Sequence, residues 1–432
     1  MVAGFAAAVL IGTVVLLLPV SRSATSGASV VDALFTATSA VCVTGLITVD
    51  TPTYWSGFGQ VVILLLIQVG GFGITALATL LGLLVSRKVG LRNRLNAAAE
   101  AKSLGLSDVR RVLLGVARTS LLFEAAGAVV VAVRLAAAYD EPVGRALWLG
   151  IFHAVSAFNN AGFALYGDNL IGFATDPFIS VALCVLVIAG GLGFPVLFEL
   201  RREGRTPRAW SLHTKIVMSM SALLLSLGTL MFLVLEWTNP RTLGPMSVAG
   251  KAVAGFFQGV QPRTAGFNSI STGDLNEATL LGTDVLMFIG GGPAGTAGGI
   301  KVTTFAVLLF VIITEVRGDQ SVTAFGRRIP REAQRQALSV ALLAVALVVG
   351  STAVLLLLTP FTLDQVLFEV VSAFSTVGLS TGITADVGTA GQLLLTALMF
   401  LGRLGPITLA SALALRSRPR LYDLPQERPI IG

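Results

Sequence analysis

The chain has 432 residues, 54% of them hydrophobic and 12% charged, with a mean hydropathy of +0.84. That composition excludes a soluble globular domain, whose surface needs about twice that share of charged residues, and it requires a bilayer as solvent. The formal net charge of +7 does not point to nucleic acid, because the bases form no stripe with interleaved aromatics.

Apolar stretches fall near 3–20, 57–85, 109–138, 176–200, 214–236, 280–316, 336–360 and 390–415. Each reaches or approaches the roughly 20 helical residues that cross about 30 Å of hydrocarbon. None alternates with period two, so helices are predicted over a barrel. Residues 3–20 are read as the first of eight spans and not as a signal peptide, since no basic residue precedes them and no small-x-small site follows. Cys42 and Cys184 suggest neither a disulfide nor a metal site.

Basic residues set the orientation. Arg87, Lys88, Arg92, Arg94, Lys102, Arg110 and Arg111 form one cluster, and Arg201, Arg202, Arg205, Arg208 and Lys215 a second. Arg317, Arg327, Arg328, Arg331 and Arg335 form a third, and Arg416, Arg418, Arg420 and Arg428 the last. The opposite side carries Asp50, Asp168, Asp176, Asp274, Glu277, Asp284, Asp364 and Asp386. By the positive-inside rule both termini are predicted to be cytoplasmic.

The chain also repeats itself. After each odd-numbered span comes a half-length apolar segment, a short glycine-containing stretch and a full span. The stretches read Ser39-Ala-Val-Cys-Val-Thr-Gly45-Leu, Ser156-Ala-Phe-Asn-Asn-Ala-Gly162-Phe, Val260-Gln-Pro-Arg-Thr-Ala-Gly266-Phe and Ser372-Ala-Phe-Ser-Thr-Val-Gly378-Leu. A phenylalanine stands ten residues before each glycine, at Phe35, Phe152, Phe256 and Phe368. The half-length segments, near 32–43, 146–159, 249–261 and 364–375, are too short to cross and must enter and return on one side. Non-helical backbone at membrane depth has to be buried in protein or line a watery cavity.

The prediction is therefore an all-α polytopic membrane protein: four pseudo-repeats of transmembrane helix, pore helix with loop, and transmembrane helix around one central pore. Its parts are repeat 1 (1–86), a basic linker with repeat 2 (87–200), repeat 3 (201–316), repeat 4 (317–416) and a tail (417–432). Glycine at the seventh position of each stretch allows backbone conformations that a Cβ resists and a close approach to an ion. Carbonyl rings replace the hydration shell of a cation such as potassium, and the carboxyl ends of four pore helices favour positive charge there. The simpler alternative is that these glycines merely cap the short helices.

These four stretches resemble the Trk/Ktr/HKT superfamily of potassium transporters, most closely the Ktr-type membrane subunit, over nearly the whole chain. The resemblance implies a selectivity filter binding potassium at Val43, Thr44 and Gly45; Asn160, Ala161 and Gly162; Thr264, Ala265 and Gly266; and Thr376, Val377 and Gly378. Glycine at all four positions implies the potassium-type filter, since sodium-preferring plant relatives carry serine at the first. Val43-Thr44-Gly45 and Thr376-Val377-Gly378 look like half of the Thr-Val-Gly-Tyr-Gly run of tetrameric potassium channels, without the second glycine and the tyrosine. Resemblance further implies a homodimer in membrane lipid resting on a cytoplasmic ring of nucleotide-binding regulators of the KtrA/TrkA kind, sodium as a possible activator, and no resident cofactor.

The sixth span is too long for one crossing and is interrupted by Gly290, Gly291, Gly292, Pro293, Ala294, Gly295, Thr296, Ala297, Gly298 and Gly299. A continuous helix does not survive that run. The family has an intramembrane gating loop here. Arg403, about a dozen residues from the end of the last span, is too deep to snorkel and is read as a charge that raises the barrier to cations and helps hold this gate closed. Glu124 is expected to pack against Arg118, Glu199 against the basic loop, and His153 and His213 to be structural. An intramembrane enzyme is disfavoured, because two distant histidines and no Cys/His cluster supply no catalytic pair. A sodium- or proton-coupled symporter of the same fold remains the alternative, although its usual inverted repeats are missing.

Overall fold

The computed structural model describes residues 2–23, 29–86 and 106–415, with backbone alone for 74–86, 106–112 and 405–415. The first basic cluster, the fourth cluster and the tail 417–432 lie outside these residues or their described side chains.

The helices follow the apolar runs in order. Helix α1 (Val2–Leu17) is followed by the short α2 (Val30–Val41), a single turn α3 (Thr51–Tyr54) and the long α4 (Gly57–Ser86). Next come α5 (Leu106–Ala138), the short α6 (Val143–Phe158) and the pair α7 (Pro177–Leu192) and α8 (Phe194–Glu203). Helix α9 (Leu212–Glu236) precedes the short α10 (Val248–Val260), α11 (Glu277–Phe288) and α12 (Val302–Arg317). The chain closes with α13 (Arg331–Leu358), the short α14 (Leu363–Ser375) and α15 (Gly388–Leu415). Serine hydroxyls start several of them: Ser29, Ser211 and Ser247 each accept from an amide of the first turn, which satisfies one of its free donors.

Polarity is inverted relative to a water-soluble protein. Leu357, Val316, Val143 and Val248 are 88%, 83%, 77% and 71% exposed, while Thr36, Thr38, Ser39 and Thr44 are buried. An outer face of that kind is covered by lipid. Among the described residues, Leu113–Ala138, Leu212–Glu236 and Arg331–Leu358 are each long and apolar enough to cross a membrane.

Two features differ from the sequence reading. The fourth span is not continuous: it bends by 100° at Gly193, whose φ is +92°. Gly190-Gly-Leu-Gly193-Phe-Pro195 carries the reason, since Gly193 takes a conformation closed to other residues and Pro195 cannot donate to the preceding turn. The chain is also not wholly helical. Strands β1 (Thr323–Ala324) and β2 (Arg327–Arg328) form an antiparallel hairpin, joined by Phe325 and Gly326 with φ of +49° and +74°, the two-residue turn that suits the twist of a hairpin.

Packing closes the chain into a ring. The helix after each short helix leans on the next short helix: α4 on α6, α7 on α10, α11 on α14, and α15 back on α2. The repeated phenylalanine anchors this arrangement, Phe35, Phe152 and Phe368 being fully buried and Phe256 partly so.

Glu236, at the end of α9 and fully buried, accepts from Asn239 Nδ2 (2.6 Å), Thr242 Oγ1 (2.7 Å), the Asn276 amide (3.0 Å) and Thr279 Oγ1 (2.5 Å). It ties the two loops at that end of the third repeat to α11. Glu236→Ala leaves four donors unpaired and is expected to destabilise the fold by on the order of 3 kcal/mol. Thermal unfolding in detergent checks this; an unchanged midpoint would mean the donors find other partners.

Candidate ion-conduction site

Each short helix ends in the same local structure. Two residues before the glycine the backbone turns left-handed, at Val43, Asn160, Thr264 and Thr376, with φ of 55°, 57°, 66° and 50°. The following amide then reaches back to the helix: Thr44 to the Ser39 carbonyl (2.8 Å), Ala161 to Ser156 (2.7 Å), Ala265 to Gln261 (3.0 Å) and Val377 to Ser372 (2.9 Å). These non-glycine residues make the helix-ending turn. The glycines are thus not the caps that the simpler reading made them.

The glycines meet one another instead. Gly45, Gly162, Gly266 and Gly378 have φ of 93°, 69°, 76° and 97°. A methyl group on Gly45 would fall on the Ala161 carbonyl oxygen, one on Gly162 on that of Ala265, one on Gly266 on that of Val377, and one on Gly378 on that of Thr44. Each methyl would also stand 3.0 Å from the Cα of the next glycine in that order. Four loops far apart in sequence therefore form one closed ring, with glycine required by backbone angle and by space. Serines brace it: Ser39 Oγ accepts from the Gly45 amide at 3.0 Å, Ser372 Oγ accepts from that of Gly378 at 3.1 Å, and Ser156 Oγ donates to the Phe163 carbonyl at 2.8 Å.

On one side the ring opens into a cavity of about 350 Å³ that Gly45, Gly162 and Gly378 line together with Asp50 and Asp168. The carboxyl ends of α2, α6, α10 and α14 converge on the loops, so their dipoles favour a cation at the ring. Thr44 Oγ1, Ser375 Oγ and Thr376 Oγ1 are buried there without hydrogen-bond partners.

On the other side lies the interrupted sixth span. Its ends are laced together, Gly290 donating to the Ile300 carbonyl (2.8 Å) and Val302 to that of Gly291 (3.0 Å). The loop between presses against three of the four ring loops. Thr296 Oγ1 donates to Asn160 Oδ1 (2.7 Å), the Gly298 amide donates to Thr264 Oγ1 (3.2 Å), and a methyl on Gly298 would strike the Thr376 hydroxyl. Arg403, 3% exposed, donates from Nη1 to the Thr296 carbonyl at 2.5 Å. Lys301 Nζ donates to the Ala297 carbonyl at 2.6 Å.

Several partners went unseen in the sequence. The bend at Gly193 holds the same loop, the amides of Gly292 and Thr296 donating to the carbonyls of Gly191 (2.8 Å) and Gly190 (3.1 Å), and that of Phe194 to Ala294 (3.2 Å). Its signal was the Gly-Gly-Leu-Gly-Phe-Pro run. Glu124 does not pair with Arg118; it accepts from Asn159 Nδ2 (3.0 Å) and Gln68 Nε2 (3.2 Å), fixing the end of α6. Glu369 accepts from the Ser380 and Thr384 hydroxyls and the Thr381 amide, fixing the chain beyond Gly378. Glu199 accepts from the amide and hydroxyl of Ser211 (2.6 and 2.7 Å) and from Thr214 Oγ1 (2.5 Å) where α9 starts. His153 bridges the Leu149 carbonyl (2.7 Å) and the Leu165 amide (3.3 Å) and is structural. Among the described residues no group of His, Cys, Asp or Glu could hold a metal ion.

A polytopic helical membrane protein with a closed ring of four glycine loops at its buried centre fits a transport protein, and its relatives are named as transport proteins and not as enzymes. The chain belongs to the TrkH family of cation transport proteins, whose family model matches residues 6–419. It is 39% identical over 411 residues to Ktr system potassium uptake protein B of Bacillus subtilis, covering 95% of this chain and 91% of that one. The protein of the same description in Vibrio alginolyticus is 37% identical, covering 99% and 93%. The potassium/sodium uptake protein NtpJ of Enterococcus hirae is 35% identical, covering 100% and 96%. In fold the chain is similar to the crystal structure of the potassium transporter TrkH from Vibrio parahaemolyticus, with a TM-score of 0.70, 20% identity and coverage of 95% and 85%.

Proposed function

We propose that this chain is the ion-translocating subunit of a Ktr/Trk-type system, taking up potassium across the cytoplasmic membrane through the ring of four loops. The observation that carries this reading is the mutual fit of Gly45, Gly162, Gly266 and Gly378, each against the carbonyl preceding the next glycine. Potassium sheds water at the ring in exchange for carbonyl oxygens, and the loop from Gly290 to Gly299, held by Arg403, closes the inner side. An inside-negative potential contributes about 2.3 kcal/mol per charge per 100 mV toward uptake. In this reading the chain divides at 86, 200, 316 and 416 into four repeats and a tail, with both termini cytoplasmic. Two copies associate in lipid, and their basic loops dock a ring of nucleotide-binding regulators, with sodium as an activator. The names of the relatives support potassium as the cargo, and that of NtpJ supports a place for sodium.

The test is growth of a potassium-uptake-deficient bacterium at low potassium, with and without sodium, expressing the chain alone or with a regulator subunit. Rescue supports the reading; its absence with the protein present in the membrane overturns it. Gly45→Ser places a hydroxymethyl group against the Ala161 carbonyl and is expected to lower the potassium-to-sodium flux ratio by about tenfold, the effect of some 1.4 kcal/mol of lost discrimination. Competitive uptake of the two ions checks this, and an unchanged ratio would remove Gly45 from the filter.

A further inference from the structure

Arg263 stands three residues before Gly266, where the other ring loops carry Cys42, Asn159 and Ser375. The third loop alone places a charge at this position. Arg263 is 8% exposed, its Nη2 donates to Ser221 Oγ of α9 at 3.3 Å, and Nη1 has no partner. Among the described residues no carboxylate forms an ion pair with it. It lines a narrow crevice with Ser221, Gly191 and Leu192 at the bend after α7, and Gly291 at the start of the interrupted span.

Its place in the ring gives it meaning. Arg263 sits between the second and third repeats, where α7 leans on α10, and Arg403 sits between the fourth and first, on α15, which leans on α14 and α2. In a closed ring of four, those two boundaries are opposite each other. The loop at 290–299 therefore meets two buried guanidiniums from those two boundaries, one lining a crevice with Gly291 and one bonded to the Thr296 carbonyl. A guanidinium stays charged, and a charge so far from water is poorly screened.

We infer that Arg263 is a second barrier charge, which limits the rate of cation passage through the open ring by its field. The inference rests on the conduction reading above and deepens it. The two arginines differ in what they control. Arg403 holds a carbonyl of the loop, so its effect as a latch ends when the loop leaves and only its field remains. Arg263 belongs to a ring loop itself, its carbonyl accepting from Asn160 Nδ2 at 3.3 Å and its guanidinium lying behind that loop against Ser221 of α9, so the charge does not depend on the interrupted span for its place.

The experiment measures potassium flux into proteoliposomes from full-length protein lacking residues 291–298, with and without Arg263→Gln. Neutralising the charge is expected to raise flux about tenfold in this ungated background. Arg403→Gln is expected to raise flux more when the loop is present than when it is deleted, because the latch is lost only in the first case. Ser221→Asp, which sets a carboxylate against Arg263, is expected to raise flux as Arg263→Gln does, and it carries the test if Arg263→Gln fails to insert. Flux unchanged or lowered in both variants, while Gly378→Val still abolishes it, overturns the role of Arg263 and leaves the conduction reading standing. Flux that persists in Gly378→Val overturns the conduction reading and this inference with it.

Discussion

Gly378→Val is expected to abolish potassium uptake while leaving the protein in the membrane, a loss of at least about a hundredfold. Gly378 has a φ of 97°, and a β-branched residue is a genuine outlier at such an angle. Left-handed backbone alone costs a residue with a Cβ roughly 1–2 kcal/mol. The larger cost is spatial, because the added carbon falls on the Thr44 carbonyl oxygen, which is backbone and has no rotamer to escape into. Thr44 is buried and its amide is tied to Ser39, so a displaced carbonyl moves its loop, and the disturbance passes to Gly45 and the Ala161 carbonyl. Uptake at low external potassium, normalised to membrane protein, checks the result. Retained uptake would mean that ions do not pass through the ring.

Deleting residues 291–298 has the opposite expected result: faster uptake that no longer needs a regulator. The geometry makes this excision mild. A methyl on Gly299 would stand 3.5 Å from the Cα of Gly290, and adjacent residues in a chain are 3.8 Å apart at Cα. The two ends are already laced by the Gly290 to Ile300 hydrogen bond. Excision removes Thr296 and Gly298, which hold Asn160 and Thr264, together with the carbonyl that Arg403 grips. If the loop keeps the conducting state at a minor population of a few per cent, its removal raises flux by tenfold or more. Flux into proteoliposomes with and without regulator checks this; lost transport in folded protein would show that the loop belongs to the pathway and does not close it.

Much of this was legible before any coordinates. The eight apolar runs declared helices because hydrocarbon satisfies no backbone polar group, and the residues that break helices marked the interruption at 290–299. Four glycines in register, with a phenylalanine ten residues before each, declared that four loops share one role. Repetition reports likeness and not distance, so it did not show which glycine meets which carbonyl. The resemblance implies ion binding at Asn160, Thr264 and Thr376, and nothing in the sequence showed that their side chains also reach the interrupted span. That contact joins segments more than thirty residues apart and leaves no periodic trace. Glu124 was assigned the nearest base in sequence, Arg118, six residues away; on a helix that separation points the two to different faces, and its partners came from α4 and α6.

The sequence by itself determined the solvent, the helical class and the four-part repetition, because each is written in local composition or recurring spacing, while the family entered through the resemblance of its four glycine stretches. Only the tertiary structure decided that the left-handed turn falls two residues before each glycine, that the fourth span bends at Gly193 to hold the loop 290–299, and that Arg263 and Arg403 both reach that loop. Those depend on which helix leans on which, an outcome of side-chain volumes meeting across the ring that no window of contiguous residues contains.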